Sequence, residues 1–352
     1  MRIAIDGQPL LGNLTGAGKA LKFLLRELRA SFPEYEFIVI SPRDRSRWRL
    51  PQQLIWDQFR IPAAALVKKA SLLHMTGHSG SIFWQRPLVM TVHDLAAIRF
   101  PDLLPTRRSR WYWGRCIAST AKRANVVIVP SYSTKQDLIE VCHIPNEKIK
   151  VIPWGVPLRY FEEEETGEVI KRRYGLEKPY LLYVGTLDRR KDYSSLLNAL
   201  LQIDRDVDLV LAGTLIEGRT NFFELVDRLG VNDRVRVLGY VPERDLAGLY
   251  REAEVFIYPS FYEGFGLPVL ESMAYGTPVI TYNTTSLPEV VGEAGILLGP
   301  PWTPDKLAFA ILRVMVDTAL KDELVKRGAE QIKRFDWAET ARLTMSVYQS
   351  LS

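Results

Sequence analysis

The sequence predicts an α/β protein of two doubly wound domains. Three observations carry that reading. Short apolar runs rich in β-branched residues alternate with helical patterns over nearly all of the 352 residues, several of those runs stop at Gly, Ser, Asp or His, and the two halves differ sharply in charge. Alternating strand and helix signals mark βαβ units and parallel sheets, and doubly wound sheets place their ligands at the carboxyl ends of strands. The length suits two domains of about 100–200 residues each. A hydrophobic fraction of 47% and a charged fraction of 25% are ordinary globular values and exclude disordered and fibrous classes.

Taken in order, the strand candidates of the first half are RIAID, EFIVIS, SLLHMT, LVMTVHD and NVVIVPS, and those of the second half are YLLYVGT, VDLVLAG, VRVLGYV, VFIYPS and PVITYN. They predict a Rossmann-like domain over 1–160 and another over 175–335. Residues 156–177, with the acidic run Glu162 to Glu165 and with Gly167, lack strand character and read as a linker. Beyond Pro304 the pattern is helical, and 336–352 is expected to be a helix that packs back on the first domain. A ligand site is expected in a cleft where the two sheets face each other, because pockets favour domain interfaces and strand ends.

No apolar run approaches the ~20 residues of a membrane span, and MRIAID has no signal-like stretch behind it, so a cytoplasmic protein is expected. Cys116 and Cys142 lack the spacing of a disulfide framework or a structural zinc site. Residues 1–160 carry 24 Lys/Arg against 11 Asp/Glu, a net charge of +13, whereas residues 161–352 carry 22 against 30, a net charge of −8. So basic a half implies an anionic partner: a membrane surface, a diphosphate-bearing acceptor or a nucleic acid.

The segment FIYPSFYEGFGLPVLESMAYGTPVI, residues 256–280, reads as strand, glycine loop and helix. Glycines beside a helix N-terminus let backbone N–H groups approach a phosphate, and the helix dipole favours its charge. Glu263 and Glu271 stand on either side of that helix start, where carboxylates can accept hydrogen bonds from sugar hydroxyls. In YVGTLDRRKDYSSLLNAL, residues 183–200, a strand ends at Gly185 and a helix begins after Asp192. Arg190 and Lys191 lie between them, suited to a diphosphate.

The stretch EGFGLPVLE, two glutamates separated by seven residues, resembles the hallmark of the retaining glycosyltransferases of family four, which have the GT-B fold. VPSYSTKQDL, IPWGVPLRYF, LGYVPERDLAGLY and SLPEVVGEAGILL extend the resemblance over nearly the whole chain. It implies that Glu263 binds donor-sugar hydroxyls and Glu271 the nucleotide ribose, with Gly264, Phe265, Gly266 and Leu267 offering backbone amides to sugar and phosphate. It further implies that Arg190 and Lys191, after Gly185, bind the diphosphate, that Tyr240 and Val241 lie beside the nucleobase, and that His93 in LVMTVHDLAAI positions the transferred sugar. GNLTGAGKAL matches the family's glycine-rich loop with Gly16 and Gly18, but has Ala20 where many members have an aromatic residue.

The activity implied is transfer of a hexose from a nucleotide-diphosphate sugar to a glycan or lipid-linked acceptor, without metal or bound cofactor. GDP-mannose is the expected donor by similarity to bacterial mannosyltransferases of polysaccharide assembly, and a UDP- or dTDP-sugar is the alternative. Asp204, Asp206 and Asp208 form DxD patterns but precede a strand and read as a solvated loop; His74 and His78, with Gly77 between them, lack a zinc-protease pattern. An epimerase would convert donor without acceptor, and EGFGLPVLE argues against it. A nucleic-acid-binding protein would use the basic half, but no RNP, KH or zinc-finger pattern is present, so no nucleic acid is expected. Residues 107–123, RRSRWYWGRCIASTAKR, join Trp111, Tyr112 and Trp113 to basic residues with no acid. Together with Arg43, Arg45, Arg47 and Arg49 they predict peripheral contact with an anionic inner leaflet.

Overall fold

The computed structural model of the chain describes residues 1–12, 14–42, 50–77, 79–104, 106–156, 166–214 and 221–352. His78, Arg43, Arg45, Arg47, Arg49 and Glu162 to Glu165 lie outside the described residues. The chain divides into two compact units, Met1–Gly155 with Phe335–Ser352, and Val156–Arg334.

In the first unit the order is β1 (Arg2–Asp6), α1 (Gly16–Ser31), β2 (Glu36–Ile40), α2 (Leu50–Ile55), a π turn (Trp56–Arg60), α3 (Ile61–Val67), β3 (Leu72–Met75), β4 (Leu88–Thr91), α4 (Ala96–Arg99), α5 (Arg107–Arg123), β5 (Val126–Val129), α6 (Tyr132–Cys142) and β6 (Ile149–Val151). The sheet is parallel throughout, in the order β2-β1-β3-β4-β5-β6. Successive strand residues point to opposite faces. Ile3 and Ile5 therefore join one core with Leu21, Leu25 and Leu28 of α1, while Ala4 joins another with Ile61, Leu73 and Met90. Side-chain caps start several helices: Thr106 and Ser109 form a capping box on α5, and Ser131 caps α6.

The second unit holds α7 (Gly167–Tyr174), β7 (Tyr180–Val184), α8 (Tyr193–Leu201), β8 (Asp208–Ala212), α9 (Phe222–Leu229), β9 (Val235–Gly239), α10 (Glu243–Arg251), β10 (Val255–Tyr258), α11 (Leu267–Ala274), β11 (Val279–Tyr282), α12 (Leu287–Val291), β12 (Gly295–Leu298), α13 (Pro304–Val316) and α14 (Thr318–Gln331). Its sheet is also parallel, in the order β12-β11-β10-β7-β8-β9. Residues 167–174, expected to be linker, are the helix α7. Ile170 buries itself against Gly248 of α10, and Lys171 pairs with Glu252 at 2.6 Å. One buried residue in eight leaves too faint a stripe for the sequence to betray a helix there.

The last helix, α15 (Trp337–Gln349), returns to the first unit. Trp337 packs on Phe23 of α1 with ring centroids 5.7 Å apart, and Ala341, Met345 and Tyr348 join the core beside α1. Tyr348 also fixes a buried imidazole: its OH lies 2.6 Å from His74 Nδ1, and Thr91 Oγ1 lies 2.7 Å from Nε2. Burial first, and the neighbouring His93 second, push the His74 pKa from 6.5 down to about 3. The unfolded chain takes up a proton in that window and the folded chain refuses it. This contribution to stability is therefore complete above pH 6.5 and is lost as the pH falls toward 3. By pH 5 the loss is expected to reach about 2 kcal/mol. Denaturant midpoints measured from pH 7 to 5 check it, with a flatter profile expected for His74→Gln.

Candidate active site

In the second sheet β7 lies between β10 and β8, so the chain winds away from it in opposite directions on its two sides. This is the switch point at which doubly wound sheets open a crevice. The loops that follow β7 and β10 flank it and are stitched together. Asp192 N donates to Pro259 O at 2.7 Å, Phe261 N donates to Arg190 O at 2.9 Å, and Lys191 and Ser260 form an isolated backbone bridge. Asp192 also caps α8, accepting from Ser195 N at 3.0 Å, while Tyr282 OH donates to its other oxygen at 2.8 Å.

This stitching brings Lys191 and Glu263 together although 72 positions separate them. The Lys191 ammonium donates to Glu263 Oε1 and, at 2.7 Å, to Tyr258 OH; it also sits 4.2 Å from the centre of the Tyr258 ring. Ser260 Oγ donates to the same Glu263 oxygen at 2.6 Å. The side chains of Lys191 and Glu263 are only 5% and 13% exposed. So little water reaches the pair that either charge alone would be strongly disfavoured.

Arg190 is aimed by Asp188. The guanidinium donates to both carboxylate oxygens, with Nη2 2.9 Å from Oδ2, and the Arg190 backbone N donates to Oδ1 at 2.9 Å. Burial alone would raise the Asp188 pKa, but the hydrogen bonds and charge of Arg190 hold it below the ordinary carboxylate value. A guanidinium tethered at its Nε edge has lost much of the rotamer freedom that an exposed arginine keeps.

Glu263, Gly264, Phe265 and Gly266 lead into α11, with Gly266 as the residue before the helix. Two residues ahead of α12 shape this loop. Thr285 Oγ1 accepts from Glu263 N at 3.0 Å, and Ser286 Oγ donates to Glu263 O at 3.0 Å and Phe265 O at 2.9 Å. The Phe265 and Leu267 side chains are buried, so these positions offer a ligand their backbone alone. The first turn of α11 contains no acid, which leaves its N-terminal partial positive charge uncompensated from within. Glu271 is buried in the middle of α11 and accepts from Tyr250 OH at 3.0 Å. Gly185 follows β7, Gly213 follows β8, and Gly239 ends β9 on the same edge of the sheet; Gly213 N donates to Gly239 O at 2.7 Å. After β9, Tyr240 is half exposed while Val241 is buried.

His93, Gly16 and Gly18 belong to the first unit. His93 Nε2 donates to Thr76 O at 2.7 Å, and its ring lies 5.3 Å from that of Trp154. His74, Thr76, Thr91, His93, Trp154 and Trp337 line a cavity of about 20 Å³, room for about one water molecule. Gly18 has a packing reason, since a Cβ there would lie 2.3 Å from Pro9 O, whereas Gly16 stands open. Sequence reasoning did not single out Asp188, Tyr258, Ser260, Thr285, Ser286 or Tyr250. Ser286 and Tyr250 lie within stretches noted for family likeness, but only the strand order shows what they touch.

The profile of the family described as Glycosyl transferases group 1 matches residues 166–331, and that of Glycosyltransferase Family 4 matches residues 14–160. The chain is 34% identical over 269 residues to O-antigen chain mannosyltransferase B of Escherichia coli, covering 75% of this chain and 70% of that one. Among solved structures it is similar to a sucrose-phosphate synthase from Thermosynechococcus elongatus, with TM-score 0.81, 24% identity, and 100% and 99% of the two chains covered. It is also similar to HepE of Anabaena in complex with UDP and glucose, with TM-score 0.78, 21% identity and full coverage of both chains. With two parallel six-stranded sheets of GT-B type and an EGFGLPVLE loop at the switch point of the second, the chain belongs to the family four glycosyltransferases and resembles bacterial mannosyltransferases.

Proposed function

We propose that the protein transfers a mannosyl residue from GDP-mannose to a glycan or lipid-linked acceptor with retention of anomeric configuration. The observation that carries this reading is the buried Lys191–Glu263 pair at the switch point, with Arg190 tethered beside it and the N-terminus of α11 leading from the same loop. The choice of mannose is supported by the similarity to an O-antigen chain mannosyltransferase.

In this reading the donor diphosphate takes the positive charge of Lys191 and Arg190 and the backbone N–H groups from Gly264 to Leu267. Glu263, released from Lys191, accepts from the sugar hydroxyls. Glu271 binds the ribose, the backbone at Tyr240 and Val241 reads the base beyond Gly185, and His93, Gly16 and Gly18 attend the sugar and phosphate from the first unit. As the bond from the anomeric carbon to the phosphate oxygen breaks, the acceptor oxygen bonds that carbon on the same face, and its proton passes to the departing phosphate. The protein's contribution is to stabilise charge on the leaving diphosphate and to orient the sugar. The acceptor meets the basic first unit, at an anionic membrane surface when it is lipid-linked.

The test is product analysis by NMR with GDP-mannose, UDP-glucose and dTDP-glucose, using octyl α-mannoside as acceptor. An α-linked product from GDP-mannose is expected. A β-linked product would overturn retention, and turnover of a UDP- or dTDP-sugar alone would reassign the donor. The two glutamates are expected to separate. Glu271→Ala should weaken calorimetric binding of free GDP on the order of tenfold or more, the scale of a hydrogen bond to a charged group. Glu263→Ala should leave GDP affinity intact and depress sugar transfer; the reverse ranking contradicts the roles given.

A further inference from the structure

Large apolar side chains gather, exposed, on one segment of the first unit. The helical stretch α2, π turn and α3 buries Trp56, Ile61 and Ala65 on its inner side, yet Ile55, Phe59, Leu66 and Val67 are 45%, 54%, 50% and 82% exposed. With the exposed Ala63 these positions recur at helical spacing and make one outward stripe. The stripe continues across the chain. Phe59 stacks on Phe83, ring centroids 5.3 Å apart and planes 24° apart, and both Phe83 and Ile82 are about half exposed. Contiguous exposed apolar surface of this kind marks an interaction site.

The inner side explains why the stripe is held rigidly outward. Asp57, within the π turn, is fully buried and accepts from Gln8 Nε2 at 3.0 Å, Gln53 Nε2 at 2.9 Å, Ser79 Oγ at 2.5 Å and Tyr112 OH at 3.1 Å. Gln58 donates to Gly80 O at 2.8 Å and accepts from Ile82 N at 3.0 Å, which fastens the loop bearing Phe83 to the same turn. Within the aromatic run 111–113, Tyr112 does not serve as a membrane contact, for its ring is spent on the core and on Asp57.

The rim is positive. Arg60, Lys68 and Lys69 are exposed along the stripe, and Arg107 and Arg108 are exposed at the start of α5, the helix that Tyr112 ties to Asp57. Glu36 pairs with Arg2 at 2.7 Å and Asp102 with Arg110 at 3.0 Å. A second copy is a poor occupant, because an isologous contact uses the same patch on both copies and would bring two positive rims together. We infer that this face docks on an anionic bilayer, with Ile55, Phe59, Leu66, Val67 and Phe83 entering the boundary between headgroups and acyl chains and Arg60, Lys68 and Lys69 at the level of the phosphates. The inference rests on the reading that the first unit meets an anionic membrane surface, and it names the element that does so.

The test is co-sedimentation of the full chain with vesicles of phosphatidylcholine alone and of phosphatidylcholine with phosphatidylglycerol. Binding only to the anionic vesicles, weakened by salt, is expected. The triple variant Phe59→Ser, Leu66→Ser, Val67→Ser should lower that partition about a hundredfold, with an unchanged thermal melt and unchanged GDP affinity as controls. Arg107→Ser, Arg108→Ser should lower it through charge alone, about fivefold per cation. If the apolar triple variant binds as well as wild type, this face is not the anchor even though the membrane reading survives. If wild type ignores both vesicle types, the membrane reading and this inference fail together. If the triple variant instead abolishes a concentration-dependent dimer seen in sedimentation velocity without lipid, the face joins two copies and the inference is overturned.

Discussion

Lys191→Met is expected to lower turnover about a hundredfold or more, the scale for removing one preorganised charge that stabilises a transition state. Methionine keeps most of the stem's volume against the Tyr258 ring, so the variant deletes charge rather than packing. It also leaves the Glu263 carboxylate, 13% exposed, without its cation and with Ser260 Oγ still donating to it. Removing one partner of a buried pair typically destabilises by about 3–5 kcal/mol. The double variant Lys191→Met, Glu263→Gln should therefore recover much of the lost stability while turnover stays low. Arg190→Ala is expected to fall in the same hundredfold range of turnover. It carries a smaller stability loss, because Asp188 keeps its bond from the Arg190 backbone N. Single-turnover kinetics and denaturant midpoints on the same preparations separate the two effects. Near-wild-type turnover in folded Lys191→Met would remove the lysine from the chemistry.

The second large effect belongs to a residue with no chemistry. Gly213, just after β8, has φ +156°, a backbone conformation that side chains rarely adopt, and a Cβ built there would lie 1.9 Å from the carbonyl oxygen of Gly185. That oxygen is backbone and cannot swing aside. Gly213→Ala must therefore part the ends of β7 and β8 or distort both. A loss of about 3 kcal/mol or more is expected, combining backbone strain with a forced shift of packed strands. The loop that carries Arg190 and Lys191 starts at Gly185, so the variant should also lose nucleotide affinity wherever it remains folded. A denaturant midpoint equal to that of wild type would show that the two strand ends are less tightly set than this geometry requires.

What the sequence made legible follows from how each element earns its stability. The central strands of both sheets, such as RIAID and YLLYV, are apolar runs buried on both faces, and such runs announce themselves. The strands left unread were edge strands, Ile149–Val151 and Gly295–Leu298, three and four residues long; so few residues carry no period to detect. The helix at 167–174 escaped for the same reason. The glycines and glutamates of EGFGLPVLE were legible because a strand, a loop and a helix start follow one another without a gap. The meeting of Lys191 with Glu263 was not, since it depends on β7 and β10 lying side by side, which no local pattern encodes. Nor was Asp57, whose partners Gln8, Gln53, Ser79 and Tyr112 come from four separate segments. The run Trp111, Tyr112 and Trp113 shows the converse hazard: an aromatic cluster suited to a membrane interface also suits a core, and only burial tells which use Tyr112 serves.

The central claim is that the Lys191–Glu263 site of the second unit holds the donor through its diphosphate. Calorimetric titration of GDP, UDP and dTDP into the wild-type chain, Lys191→Met and Glu271→Ala tests it most directly. Saturable binding of GDP to wild type is expected, weaker binding of the other two diphosphates, and a loss on the order of tenfold or more in both variants. Absence of binding by all three diphosphates, or GDP affinity that survives both substitutions intact, would contradict the account.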